Sequence, residues 1–298
     1  MIPSSQQPGR YTKTRIAPTP SGFLHLGNVL SFAITASMAK ENDAKILLRI
    51  DDLDRARVNK QFLQDVFDTL DFLEIAWDEG PHDLKDFEKS WSQLHRMDNY
   101  RAALQQLADK GLVYACTCSR SQLSKADSCT CFNRQLPLHT ENTSWRLLTV
   151  DGKTITIKNY GGQLTHTELP GEMHNFIVRK KDGFPAYQLT SVMDDIFYGI
   201  DLVVRGEDLW PSTLAQHVLV SALENNRFRE VTFYHHPLLM EPSGNKLSKS
   251  AGAASVKYLR EQGKKAADVY SIIAGMLGFE GTVHNWEQLA GLIYPANG

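Results

Sequence analysis

The chain has 298 residues, of which 42% are hydrophobic and 22% charged, enough to bury the core of two compact domains or of one domain with an insertion. A net charge of −2 excludes a bulk electrostatic coat for nucleic acid, though local clusters such as Arg179, Lys180 and Lys181 and the run 246–265 leave a focused RNA contact open. No apolar run approaches the ~20 residues that span a bilayer, and the polar stretch 1–10 lacks a signal-peptide core, which predicts a soluble, cytoplasmic protein with a short disordered leader.

Residues 11–19 predict a short strand that runs into the loop Ala17-Pro18-Thr19-Pro20-Ser21-Gly22, where the prolines and Gly22 bar a helix until about Gly27. A mostly apolar helix follows over 28–40, then a buried strand over 44–50 and an acidic turn at Asp51, Asp52 and Asp54. Phe62, Leu63, Val66, Phe67, Leu70 and Leu73 recur at helical spacing and predict a helix over 60–73. This alternation is that of a parallel α/β sheet. A helix over 91–110 precedes a cysteine cluster and a β-rich stretch, 145–178, expected as an insertion between two halves of the sheet. Helix 187–198, strand 201–205, helix 212–224 and strand 231–239 resume the alternation, and 255–292 predicts short helices. The expected division is therefore residues 1–112 and 183–245 as the halves of a Rossmann-type domain, 113–182 as the insertion, and 246–298 as a loop followed by a short helical region.

Two loops carry the chemistry. The first, from Pro18 to Asn28, lies between a strand and a helix N-terminus, where free N–H groups and the helix dipole favour anions. There Gly27 permits close backbone approach and His25 can donate to a phosphate. The second, Gly244-Asn245-Lys246-Leu247-Ser248-Lys249-Ser250, follows a strand and sets two lysines and two serines in a glycine-bounded loop, suited to a phosphorus transition state. Alone, each is as compatible with an ordinary surface loop. Together, at the first and last strands of an interrupted sheet, they form a pair.

His25-Leu26-Gly27-Asn28 resembles the HIGH motif, and Lys246 to Ser250 the KMSKS motif, of class I aminoacyl-tRNA synthetases. The string from Arg15 to Gly27, the segment Arg49-Ile-Asp-Asp-Leu-Asp-Arg-Ala-Arg57, Ala186 to Leu189 with Asp194-Asp195, and Val204 to Asp208 resemble the glutamyl/glutaminyl branch. The resemblance implies ATP with Mg²⁺ and glutamate as substrates, with His25, Gly27, Asn28 and Lys249 on the nucleotide and His25, Lys246 and Lys249 carrying the chemistry. For the amino acid it implies Arg15 and Arg205 on carboxylate, Asp51 on the ammonium, Tyr187 as a hydroxyl partner and Thr19 in the wall. The competing reading of these charges is a buried network in which Arg15 and Arg205 pair with Asp51 or Asp52. Two departures from the family pattern stand out: Asp51 where the branch has Glu, which withdraws the carboxylate by about 1.5 Å and is worth about 1–3 kcal/mol of discrimination, and Asn28 at the last HIGH position.

All four cysteines, Cys116, Cys118, Cys129 and Cys131, fall within sixteen positions as two Cys-x-Cys pairs. Four thiolates suit a structural Zn²⁺ site, and the resembling family places zinc in this insertion, with Cys129 here standing where a tyrosine ligand is usual. Only 48 residues follow Ser250, where the long members of the branch continue into an anticodon-binding region. That brevity is similar to the members that charge queuosine in the anticodon loop of tRNA(Asp), although a longer chain cut short would look the same. The preferred expectation is a monomeric ligase acting in tRNA modification. The alternatives are transfer of the activated amino acid to a tRNA 3′ end or a non-tRNA acceptor, or a non-catalytic tRNA-binding paralogue. His235 and His236 are expected in packing or near ATP, Trp210 and Trp286 in the core or as stacking platforms, and Asp194 and Asp195 in structural pairs.

Overall fold

A computed structural model describes residues 11–119, 122, 129–225, 227–240 and 255–294; Lys246 and Lys249 lie outside them. Two parallel pairs form the heart of the fold. β1 (Lys13–Ile16) pairs with β2 (Lys45–Leu48), and β8 (Leu202–Gly206) pairs with β9 (Thr232–His236). β1 and β8 lie side by side without a continuous ladder. The Asp201 carboxylate accepts from the Thr12 and Lys13 N–H groups at 2.8 and 2.9 Å, and the Asp201 N–H donates to the Lys13 carbonyl. The strands are thus stitched where they begin, and no ladder joins them further on.

Strand alternation sends successive side chains to opposite faces, and two cores result. Ile46 and Leu48 of β2 with Leu202 and Val204 of β8 join one; Leu47 and Val203 join the other. The first core is closed by α1 (Leu26–Asn42), α2 (Lys60–Phe72), α7 (Ala266–Met276) and α8 (Trp286–Ile293), and the second by α3 (Met97–Asp109), α4 (Tyr187–Tyr198) and α5 (Trp210–Ala222). A short helix, α6 (Val256–Glu261), carries the chain back from the second loop. This is an α/β fold with helices on both faces of a parallel sheet, and no helix among the described residues is long and apolar enough to cross a membrane.

The β-rich stretch divides, in contrast to the single insertion expected over 113–182. β3 (Val113–Cys116), β4 (Ser144–Leu147) and β7 (Ile177–Arg179) form an antiparallel sheet of their own beside the cysteines. The hairpin β5 (Ile155–Asn159) and β6 (Leu164–Thr167) instead joins the parallel sheet, with Lys158 and Asn159 of β5 beside Thr232 and Phe233 of β9. Ile155 and Ile157 of β5 bury into the second core, and that burial draws the hairpin away from the insertion.

The helix expected over 91–110 begins only at Met97. A wide π turn, Phe87–Trp91, and a 3₁₀ turn, Gln93–Arg96, precede it, and Ser92 between them is extended. The cause is Asp52, whose carboxylate accepts from Ser92 Oγ at 2.7 Å and from the Gln93 N–H at 2.8 Å. A side chain elsewhere in sequence caps the second turn and breaks the helical run.

Candidate active site

One cavity of about 640 Å³ opens at the carboxyl ends of β1, β2, β8 and β9. Helical connections leave β1 in one direction and β8 lies on its other side, so the cavity occupies the crevice where strand order reverses, the usual ligand position of open α/β sheets. Arg15, Thr19, His25, Gly27, Asn28, Asp51, Tyr187 and Arg205 all line it. Every described residue that sequence reasoning placed on the amino acid or nucleotide therefore meets in one space.

One wall is the loop 22–28 and the start of α1. His25 is the extended N-cap of that helix, and the Asn28 side chain accepts its backbone N–H at 3.1 Å. Asn28 thus acts on the helix end as an acceptor, besides lining the cavity. Gly27 is needed for space rather than for an unusual dihedral: a Cβ there would stand 3.0 Å from Cε1 and 3.1 Å from Nδ1 of His25. The floor continues through Gly206, Asp208, His236, Leu238 and Leu239. The chain segment holding Lys246 and Lys249 leaves from beside this floor. It returns at Ser255, whose backbone bridges to His25, while the Val256 N–H donates to the Leu24 carbonyl at 2.8 Å.

The other side is a cluster of buried charge. Arg49, two residues before Asp51 and so on the same face of the extended chain, grips that carboxylate with Nε–Oδ1 2.8 Å and Nη2–Oδ2 3.1 Å, and its Nη1 reaches Asp195 Oδ1 at 2.6 Å. Arg15 lies 3.4 Å from Asp195 through Nε and donates from Nη1 to the Val204 carbonyl at 3.0 Å. Arg205 donates from Nη2 to Gln216 Oε1 at 2.9 Å and lies over the Phe233 ring, 4.9 Å from its centroid. The expected competing network exists in part, but Arg49 holds Asp51, and Asp195 is the carboxylate nearest Arg15. Asp194, likewise buried, accepts from Arg96, Gln93 and Tyr100 and holds α4 against α3. Both aspartates form the structural pairs anticipated for them.

Arg205 is left short of acceptors: its Nε and Nη1, both buried, have no partner among the described residues. A buried cation so placed costs several kcal/mol unless an anion meets it. Burial lowers the Arg205 pKa to about 10 and also lowers that of Arg15, against the pull of Asp195; at about 10, Arg205 still keeps its charge at neutral pH. Burial raises Asp51 to about 6 against the pull of Arg49, which leaves a carboxylate that is mostly ionised at neutrality and close to titration. Tyr187 is the first residue of α4, 41% exposed, with its ring on the cavity.

Sequence reasoning assigned no role to Arg49 or Gln216, and to Asp195 only a structural pairing. Arg49 stands in the quoted motif and its i, i+2 relation to Asp51 was visible; nothing in the sequence pairs Gln216 with Arg205, eleven positions away across a strand and a helix. His236 lines the cavity with its Nδ1 3.0 Å from the Pro237 carbonyl, whereas His235 faces the other core against Trp210 and Phe233. Trp210 and Trp286 are both partly buried against the cores.

Apart from the cavity, the four cysteines converge. The Sγ separations are 3.6 Å for Cys116–Cys129, 3.8 Å for Cys118–Cys129 and 3.5 Å for Cys118–Cys131, and all four lie within 4.8 Å of one another. Four sulfurs around a tetrahedral Zn²⁺ at about 2.3 Å stand about 3.8 Å apart. The thiol set has the size and chemistry of a closed structural zinc site.

The model for the catalytic domain of class I tRNA synthetases (E and Q) matches residues 12–143 and 161–285. The glutamyl-Q tRNA(Asp) synthetase of Symbiobacterium thermophilum is 34% identical over 288 residues, which cover 89% of this chain and 86% of that protein. The glutamate–tRNA ligase of Dehalococcoides mccartyi is 31% identical over 264 residues, covering 84% of this chain and 53% of that one, so the chain spans about half the length of such ligases. The crystal structure of the glutamate–tRNA synthetase from Elizabethkingia anophelis superposes with a TM-score of 0.73 at 24% identity over 94% of this chain and 65% of that one, a likeness of fold. With the cavity, its motifs and most of its length in agreement, the chain belongs to the class I tRNA synthetase family of the glutamyl and glutaminyl branch.

Proposed function

We propose that this chain activates glutamate with ATP to glutamyl-adenylate and transfers the glutamyl group to a tRNA, by preference to queuosine of tRNA(Asp). The observation that carries the reading is the single cavity, in which a helix N-terminus and the His25 loop adjoin Arg15, Arg205, Tyr187 and Asp51. Glutamate has two carboxylates and one ammonium. Arg205, with two buried nitrogens short of acceptors, suits a carboxylate, Arg15 adds a second cation, and Asp51 supplies the anion opposite the ammonium. ATP would lie along the 22–28 loop with its base toward Leu238 and Leu239. In-line attack of the amino-acid carboxylate on the α-phosphorus then needs positioning and charge stabilisation more than proton transfer. His25 contacts the phosphates, and Lys246 and Lys249, with Mg²⁺, neutralise the departing pyrophosphate. Cys116, Cys118, Cys129 and Cys131 hold Zn²⁺ and so fix the small antiparallel sheet that meets the acceptor. The protein works as a cytoplasmic monomer.

Queuosine is preferred as acceptor because the glutamyl-Q tRNA(Asp) synthetase of Symbiobacterium thermophilum matches at 34% identity over 86% of its own length, against 31% identity over 53% for the ligase of Dehalococcoides mccartyi. Acid–urea gel and mass analysis of tRNA(Asp) with and without queuosine tests this. Glutamylation confined to the queuosine-containing tRNA is expected; equal charging of both, or charging at a 3′ end, assigns another acceptor.

A further inference from the structure

Outside the cavity stands a buried carboxylate that touches both the 22–28 loop and α6. Asp65, on α2, has a side chain only 2% exposed. Its Oδ2 accepts the backbone N–H of Leu24 at 2.9 Å, the residue before His25. Its Oδ1 meets Arg260 Nη2 at 2.5 Å, on α6, the helix that follows the segment carrying Lys246 and Lys249. Around this centre the same two elements touch again. Lys257 of α6 sits 4.4 Å from the centroid of the Phe23 ring, and Phe23 packs edge-on against Phe62 of α2. The Val256 N–H donates to the Leu24 carbonyl, and Ser255 bridges to His25. α2 is itself tied down at its far end, where the Tyr270 hydroxyl donates to the Leu73 carbonyl at 2.6 Å.

We propose that Asp65 is a positioning residue, which holds the His25 loop and the root of the Lys246–Lys249 segment in one fixed register through its two carboxylate oxygens. A carboxylate suits this place because each oxygen accepts independently, and a charge-assisted bond to guanidinium is strong where water is excluded. Its catalytic consequence rests on the ATP-activating reading above: two loops that must act on one triphosphate gain from a shared anchor, since misplacement of about 1 Å can cost on the order of a hundredfold in rate.

The test compares the full-length chain with Asp65→Asn, Arg260→Met and the double variant, by hydrogen exchange and by ATP–pyrophosphate exchange. Among the described residues, Arg260 reaches the 23–27 loop through Asp65, and its other contacts, with Asp68 and the Phe72 ring, lie on α2 itself. Arg260→Met is therefore expected to speed amide exchange in a peptide spanning 22–28 by about tenfold, with the core of α1 unchanged. Pyrophosphate exchange is expected to lose at least about tenfold in kcat with the KM for glutamate unchanged, and the double variant to be no worse than either single one. Unaltered amide exchange in 22–28, or altered amide exchange with wild-type kcat, overturns the positioning role. A wild-type chain that exchanges pyrophosphate with no amino acid overturns the activating reading instead, and the amide measurement still decides whether Asp65 couples the two elements. Arg260 is partly exposed, so its variant is expected to fold even if Asp65→Asn does not.

Discussion

Arg205 and Asp51 are buried charges held by the fold on the wall of the cavity, and the proposed reading gives each a ligand to meet. Arg205 has one nitrogen on Gln216, its ring contact with Phe233, and two nitrogens left to meet a carboxylate. Arg205→Lys keeps the charge but not the planar fork, so the KM for glutamate is expected to rise about ten- to a hundredfold, as loss of about 1.5–3 kcal/mol of charged hydrogen bonding requires. Steady-state kinetics check this, and an unchanged KM removes Arg205 from the amino-acid site. Asp51 is raised by burial to about 6, so the anion that attracts an ammonium is present above that pH and lost as pH falls through it. The pH profile of kcat/KM for the amino acid should therefore carry an acid limb near 6, and Asp51→Asn should abolish it; a limb that survives the substitution belongs to another group. At this scale the sequence was informative for residues whose roles come from type and motif. Arg15, Thr19, His25, Asp51, Tyr187 and Arg205 do share one cavity. It was silent on who holds whom. The i, i+2 relation of Arg49 to Asp51 is local, but that Arg49 also meets Asp195, and that Gln216 holds Arg205, depends on strand and helix packing that no local pattern encodes.

At the scale of elements, periodicity located most of the regular structure. Helices over 60–73 and 187–198 match α2 and α4 to within a residue, because their apolar stripes and caps are local. The helix expected over 91–110 fails where Asp52, some forty residues upstream, captures Ser92 and Gln93. The hairpin 155–167 was misplaced for a similar reason. Its alternation predicts strands, but which sheet they join is settled by the burial of Ile155 and Ile157 against α5 and β9. The Cys-x-Cys pairs are the contrary case, since spacing alone foretold a cluster and the four Sγ atoms converge. Cys118→Ser should remove one of four thiolates, release zinc and loosen the sheet β3–β4–β7. Metal analysis with limited proteolysis checks it, and a protein that stays fully folded and protease-resistant without metal contradicts the zinc assignment.

For the molecule as a whole, the sheet is stitched by Asp201 where β1 and β8 begin and carries its ligand-sized cavity at their other ends. The first motif borders that opening as the N-terminus of α1, and the described chain resumes at Ser255, which bridges to His25. The claim on which this account rests is that this opening joins one amino acid to one ATP. The most direct test is ATP–pyrophosphate exchange by the intact chain with each amino acid in turn, alongside Lys249→Ala. The account predicts exchange with glutamate well above the others, and a loss of about 10²–10³-fold when Lys249 is removed while the fold persists. No exchange with any amino acid, or exchange indifferent to Lys249, would contradict it.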